Sequence, residues 1–316
     1  MKARVLFVYL AVCVLWGTTW LAAKLGLEDL PPLTLVAARM SLSALLLAPW
    51  ALREGVARLA PGEWRWVLFV GLLQVTIPYA LMFVGQTMVP SALAAILFCT
   101  FPIWLVLLGW WLIPGEGLSG RKLLLALVGL GGVVLLQAGA RSADAGAGGS
   151  AGRLGLGALL ITAGALSCAS ANALVRRRGL THSPAVMTFV QALGAGVALS
   201  VTAALVDGAP PAAAWTARAL GSIGYLALGG TVLTYLGLYW LLPRISLVAV
   251  GSIPLVDTTV AVTLGTLVAG EHLTPLMVAG GGLVLLAAAL SIGKGPGGAG
   301  SPGHGGAGPA CGKSSA

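Results

Sequence analysis

The feature that most constrains this chain is a succession of apolar runs of about 20 residues, the length of helix that crosses roughly 30 Å of hydrocarbon at 1.5 Å per residue. They fall at 5–27, 33–52, 66–88, 91–113, 122–140, 154–175, 184–206, 219–242, 245–268 and 276–293. Hydrophobic residues make up 58% of the 316 and charged residues only 9%, where a soluble domain carries about a quarter charged. So little charge cannot cover a water-facing surface, but it can cover one that faces lipid. The fold class that follows is all-α and integral to the membrane, with ten transmembrane helices. The first run has the basic start of a signal peptide, yet its apolar stretch is too long and no small-residue cleavage site follows, so it reads as a mature helix.

The net charge of +9 does not point to nucleic acid, because the basic residues sit between apolar runs and form no continuous stripe with aromatics. Membrane orientation accounts for them. With the N-terminus in the cytoplasm, the inner loops and ends hold thirteen Lys and Arg, among them Arg53, Arg121 and the run Arg176, Arg177 and Arg178; the outer loops hold Arg141, Arg153 and Arg218. This bias predicts that both termini are cytoplasmic. Cys13, Cys99 and Cys168 lie inside apolar runs and Cys311 near the end of the chain, with no metal-ligand or redox spacing, so they read as small packing residues.

Two segments rich in Gly, Ala, Ser and Pro fall outside the pattern, at 141–153 and 294–316. They lack the apolar residues that would offset the cost of ordering. The chain therefore reads as a first repeat at 1–140, a flexible linker at 141–153, a second repeat at 154–293 and a disordered tail at 294–316. Each repeat has five spans, and five is odd, so the two must lie in the membrane in opposite orientations. At an offset of 152 to 156, Trp16 meets Cys168, Pro32 meets Pro184, Arg39 meets Gln191, and Tyr79 and Phe83 meet Tyr235 and Tyr239. GEGLS at 115–119 likewise meets GEHLT at 270–274, each after the fourth span of its half. An inverted repeat supplies two similar bundles that rock against each other and open a central site to alternate sides.

The stretch WGTTWLAAKLGLEDLPPLTLVAAR at 16–39, the region from Tyr79 to Pro102 leading into GEGLS, and a second copy ending in GEHLTP together resemble the EamA-type transporters of the drug/metabolite transporter superfamily. The resemblance covers residues 4–293. It implies a multi-pass protein of the bacterial inner membrane that exports amino acids or other small polar metabolites, with proton exchange in several members. Asp257-Thr258 stands where many members carry a Glu-Pro or similar pair, and Cys168 stands where a tryptophan is usual.

Asp257 is the leading candidate for function, since it sits about twelve residues, or roughly 18 Å, into a span of about 36 Å. An ionisable group at that depth needs a partner or a wet cavity, and it can carry a proton or receive a substrate amine. Thr258 and Thr259 flank it, and Pro254 one turn earlier frees a backbone carbonyl, as Pro78 and Pro102 do in the third and fourth spans. Arg39 lies about six residues inside the second span. It can bind a substrate carboxylate, pair with Asp257 or Glu28, or snorkel to the interface. Lys24 and Glu28 are spaced for a helix-end ion pair. Trp16, Trp20, Tyr79, Phe83, Trp104, Tyr235, Tyr239 and Trp240 can wall a polar cavity, whereas Trp50, Trp64, Trp66 and Trp215 fall at span ends as anchors. Glu116 and Glu271 read as caps, and the glycines near 129–132 and 280–282 as points of close helix contact.

The sequence has no HExxH, no catalytic aspartate pair and no Walker-type GxxxxGK[ST], and its three histidines, His182, His272 and His304, fall in loops or the tail. An intramembrane enzyme or an ATP-driven pump is therefore disfavoured, and no cofactor or metal is expected. A secondary transporter is the reading that the repeat favours; a passive channel or facilitator is the alternative, because it requires no motif.

Overall fold

A computed structural model describes residues 3–112, 120–147, 151–178, 182–241, 244, 253–270 and 273–292. Every regular element among them is helical. Ten helices follow in order: α1 (Ala3–Leu27), α2 (Pro32–Arg53), α3 (Pro61–Gln86), α4 (Ser91–Leu112), α5 (Gly120–Ala147), α6 (Ala151–Arg178), α7 (Pro184–Val206), α8 (Ala217–Leu241), α9 (Ile253–Leu267) and α10 (Pro275–Ile292). Seven are long and apolar enough to cross a bilayer; Leu123–Leu135 of α5, Ile253–Leu267 of α9 and Pro275–Ala287 of α10 are apolar but shorter. The GEGLS turn with Glu116, Glu271 and His272 of GEHLT, and the tail at 294–316 lie outside the described residues.

Local chemistry explains where the helices begin. Proline occupies the first turn of α2, α3 and α7, where its missing N–H costs nothing and its fixed φ suits the helix. The Ser183 hydroxyl accepts from Val186 N at the start of α7, and the Thr216 hydroxyl from Ala219 N at the start of α8. Within the segment read as a linker at 141–153, α5 continues through Ala147 and α6 opens at Ala151, and residues 148–150 lie outside the described residues. Alanine, the best helix former, is frequent in this segment.

Two helices change pitch at related places. Leu72–Thr76 in α3 and Leu228–Leu233 in α8 are π-helical turns, each preceded by an eleven-residue α segment, Pro61–Gly71 and Ala217–Ala227. In α3 the cause is visible, since Pro78 follows and has no N–H to offer the carbonyl one turn back. Helix α4 is interrupted after Phe98, just before Pro102, so the prolines expected to disturb the third and fourth spans do so.

Packing between the two sets of five helices is reciprocal. Helix α2 packs along α7 and α5 along α10; α1 packs on α8 and α9, while α6 packs on α3 and α4. Exchanging the two sets leaves this scheme unchanged. Large apolar side chains such as Phe7, Leu45, Trp111 and Leu205 remain on the outside, as lipid-facing positions require. The α5–α10 contact depends on glycine: a Cβ on Gly132 would lie 2.7 Å from the Gly280 carbonyl oxygen, whereas one on the adjacent Gly131 would meet nothing within 4 Å.

That neighbouring pair supplies a test. Gly132→Ala should destabilise the protein by about 1–3 kcal/mol through overpacking against backbone. Gly131→Ala should be neutral or stabilising by up to about 1 kcal/mol through helix propensity. Thermal unfolding of the two variants in one detergent measures the difference.

Candidate functional site

A cavity of about 160 Å³ lies within the bundle. At about 10–15 Å³ per water it has room for roughly ten waters, the scale of a small metabolite. Helix α1 contributes Trp16, Thr19 and Trp20 to its wall, and α2 contributes Arg39. Gln74, Pro78, Tyr79, Phe83 and Gln86 come from α3, Phe98 and Phe101 from the interrupted α4. Cys168 and Asn172 of α6, Tyr235 of α8, and Pro254 and Asp257 of α9 complete it. Residues more than 200 positions apart thus share one space.

Arg39 is the cation of the site. It is 3% exposed, so it does not snorkel to the interface. Its Nε donates to the Thr231 hydroxyl at 3.1 Å, and Nη2 donates to the Gly230 carbonyl at 3.0 Å and the Tyr79 hydroxyl at 3.4 Å. The guanidinium carbon lies 4.5 Å from the centre of the Tyr79 ring and 5.9 Å from that of Phe83. Glycine at 230 is required for this approach, because a Cβ there would lie 3.1 Å from Nη2 and 2.6 Å from the Thr19 methyl. Among the described residues Nη1 has no hydrogen-bond acceptor, although the side chain lines the cavity.

Asp257 is the acid of the site, and it lies on the same cavity wall. It is the fifth residue of α9 as described; the stretch at 245–252, from which its depth was counted in the sequence, lies outside the described residues. Thr258 is buried and offers its hydroxyl to Asp257 Oδ1 at 3.4 Å and to the Ala95 carbonyl at 3.3 Å. Arg39 and Asp257 form no ion pair with each other or with any other described residue: among these residues Arg218 pairs with Glu28 and Asp29, and His182 Nε2 lies 3.4 Å from Glu63 Oε1, an ion pair only when the imidazole is protonated. Glu28 therefore serves Arg218 instead of the expected Lys24 or Arg39.

The aromatics divide into two groups. Trp16 packs edge-on against Tyr235 with ring centres 5.8 Å apart, Trp20 against Phe98 at 5.8 Å, and Tyr79 against Phe83 at 6.4 Å, all on the cavity wall. Tyr239 instead packs with Trp64, Trp66 and Phe189 beside a core formed by α2, α3 and α7, and Trp240 is flanked by Arg4 and Arg244. Neither these two nor Trp104 and Thr258 are among the residues that line the cavity. Leu238 lines the cavity, and the next residue, Tyr239, is turned about 100° around α8 from it.

Sequence reasoning missed Gln74, Gln86, Asn172 and Thr19. Gln86 donates to the Trp20 carbonyl at 3.2 Å and Asn172 to the Cys168 carbonyl at 2.9 Å. The signal was present, since a carboxamide inside an apolar span needs a partner or a polar cavity just as a charge does. Three free thiols also separate by position: Cys13 and Cys99 are fully buried, while Cys168 is partly exposed and lines the cavity. A small methanethiosulfonate reagent should therefore modify Cys168 at least about tenfold faster than Cys13 or Cys99, since access governs thiol reactivity. Peptide mass spectrometry after timed quenching measures the three rates.

The sequence model of the EamA-like transporter family matches residues 3–137 and again 155–293. An uncharacterized inner membrane transporter of Escherichia coli K12, YedA, is 28% identical over 289 residues, covering 90% of this chain and 89% of that protein. The uncharacterized transporter YvbV of Bacillus subtilis is 24% identical over 292 residues, 92% of each chain. Protein PagO of Salmonella typhimurium is 33% identical over 104 residues, about a third of either protein. A crystal structure covering 92% of this chain and 98% of its own superposes with a TM-score of 0.61 at 18% identity, which shows a common fold. The chain belongs to the EamA-like transporter family, and it is a multi-pass transporter of the bacterial inner membrane.

Proposed function

We propose that this protein exports small zwitterionic metabolites, amino acids above all, by proton-coupled alternating access between two inverted repeats. The observation that carries the reading is the pair Arg39 and Asp257: one cation and one acid, neither in an ion pair among the described residues, on the wall of one cavity. A zwitterion brings a charge for each. Its carboxylate would meet the two unclaimed N–H groups of Arg39 Nη1 in the planar geometry that guanidinium favours. Its ammonium would face Asp257, and its side chain the rings of Trp16, Trp20 and Phe98.

Proton coupling follows from the same acid. When no ammonium is present, Asp257 can hold a proton and satisfy the site; when cargo arrives, the proton leaves. Such exclusion between proton and cargo makes exchange obligatory. The inverted repeat is supported by the matching π turns in α3 and α8, by the reciprocal helix packing, and by the two stretches that match one family model. The basic residues of the inner loops support cytoplasmic termini.

Counterflow in proteoliposomes with a panel of radiolabelled amino acids tests the reading, because only a carrier gives transient uphill exchange. For the cargo identified, Arg39→Lys should raise the half-saturating concentration at least about tenfold, as lysine lacks the planar fork. Asp257→Asn should abolish accumulation driven by a pH gradient and leave exchange partly intact. An Asp257→Asn protein that still concentrates cargo at the wild-type rate removes the proton coupling and leaves the carrier.

Orientation has its own measurement. Cysteines placed at 146–150 should react with a membrane-impermeant maleimide in intact cells, and cysteines at 176–178 or 295–300 should not. Labelling at 295–300 in intact cells would overturn both the orientation and the ten-span count.

A further inference from the structure

Helices α2 and α7 are pinned to each other at both ends by the same device. Asp207, the residue that ends α7, accepts from Thr34 N at 2.7 Å and from the Thr34 hydroxyl at 3.0 Å, in the first turn of α2. Glu54, the residue that ends α2, accepts from the hydroxyl of Ser183, the residue that opens α7. Each helix thus presents a carboxylate to the amino-terminal end of its partner, where the helix dipole is positive. Between the ends the backbones touch: a Cβ on Gly196 would lie 3.0 Å from Ser41 Oγ and 3.1 Å from Ser41 N.

A second pair of contacts lies beside the first and differs in kind. In the α1–α2 turn, Asp29 receives Arg218 Nε at 2.8 Å and Nη2 at 2.7 Å, and the Thr216 hydroxyl at 2.6 Å, while Glu28 receives Arg218 Nη1. At the opposite end of the bundle, His182, in the turn before α7, lies 3.4 Å from Glu63 in the first turn of α3. Both contacts join the first five helices to the second five; the Arg218 contact is hydrogen-bonded, whereas His182 Nε2 lies within ion-pair distance of Glu63 without a hydrogen bond. Arg218, and after it Thr216, hold the Asp29 carboxyl down to about 2. Its ionised form is therefore complete above the ordinary carboxylate range and is lost only as pH falls towards that value, so the contact with Arg218 persists through physiological pH.

The elements bearing these second contacts are built to bend. Arg218 sits on Ala217–Ala227 and Glu63 on Pro61–Gly71, and each of these segments is followed at once by a π turn. A π turn is a common site of hinging or function within a helix. No such turn interrupts α2 or α7.

From this arrangement we infer that α2 and α7 form a fixed spine, and that the first segments of α8 and α3 are two gates that swing on their π turns. Arg218 with Asp29 and Glu28 latches one gate, and Glu63 with His182 latches the other. In the occluded state both latches are made, and opening to either side breaks one latch and leaves the spine intact. The inference rests on the alternating-access reading above and adds which contacts move.

Four cysteine pairs test it in protein with Cys13, Cys99 and Cys311 replaced by serine and Cys168 kept as the reporter in the cavity. The pairs are Thr34→Cys with Asp207→Cys, Glu54→Cys with Ser183→Cys, Asp29→Cys with Arg218→Cys, and Glu63→Cys with His182→Cys. Each is oxidised to the disulfide in right-side-out and inverted membrane vesicles. Cys168 is then reacted with an impermeant methanethiosulfonate, and the reduced form of each variant is its own control for folding.

Either spine disulfide should leave modification from both faces within about twofold of the reduced protein, while each gate disulfide slows modification from its own face at least about tenfold and spares the other. A spine disulfide that blocks one face, or a gate disulfide that blocks neither, overturns the inference while the transport reading stands. Reduced protein whose Cys168 reacts from one face only would remove the alternating-access reading, and the inference with it.

Discussion

In hydrocarbon a backbone N–H or C=O without a partner costs several kcal/mol, and no water is present to supply one. Every departure from regular helix in this bundle is accordingly attended by a side chain that repairs it. Around the π turn of α3, Ser167 donates to the Leu73 carbonyl at 2.8 Å and Thr76 to that of Gly71 at 3.5 Å. Around the π turn of α8, Thr231 serves Leu226, Ser43 serves Ala227, and Arg39 serves Gly230. Where α4 is interrupted, Thr100 bonds the Leu97 carbonyl and the Cys99 thiol points to that of Pro254. Most of these repairs cross between helices, so irregular backbone is also where the halves are tied together.

Arg39 shows how close the balance is. Placing an arginine at the centre of a membrane helix costs about 2.5–3.5 kcal/mol on insertion scales. A hydrogen bond to a charged group returns about 1.5–3 kcal/mol, and a desolvated cation–π contact about 2. Two good hydrogen bonds and the Tyr79 ring therefore suffice to hold the guanidinium, and Nη1 is not needed for stability. Among the described residues its Nη1 donors are unclaimed, so a second acceptor can share the guanidinium with the first. Lysine in the same position would have to choose between the Gly230 carbonyl and a cargo.

Most of the architecture was legible in the sequence because the bilayer allows few alternatives. An apolar run of about 20 residues bounded by Pro, Gly or charge has only one regular structure open to it, and most described helix ends fall close to the ends of a run, the exceptions being the start of α3 at Pro61 and the end of α5 at Ala147. Arg39, Asp257, Trp16, Trp20, Tyr79, Phe83 and Tyr235 were legible as cavity residues because each is polar or bulky aromatic deep in a span. Tyr239 was read from its pairing with Phe83 across the repeat: Phe83 and Leu238 line the cavity, whereas Tyr239 packs on the core of α2, α3 and α7. The partner of Glu28 was not legible at all. Nothing local favours Arg218, 190 residues away, over Lys24 one turn back; only the packing of α8 on α1 brings it there.

Helix α8 carries both of the contacts on which the proposed coupling and gating rest. Its first segment holds Arg218, which joins the turn between α1 and α2, and its π turn presents Gly230 and Thr231 to Arg39. Both contacts are made to the first five helices, and they are separated by about three turns of one helix. In the proposed mechanism a cargo carboxylate sharing the Arg39 guanidinium would weaken its hold on Gly230 and Thr231, at the turn on which the Arg218 segment would bend. The Gly230 carbonyl then needs another donor, and a return to regular α-helical pitch supplies one from the backbone itself. Such a change rotates everything beyond it by a fraction of a turn, enough to misalign a bidentate pair such as Arg218 and Asp29 whose two bonds are 2.7 and 2.8 Å long. Because guanidinium–carboxylate bonding depends on planarity as well as distance, a small rotation at the π turn is converted into release at the end of the helix.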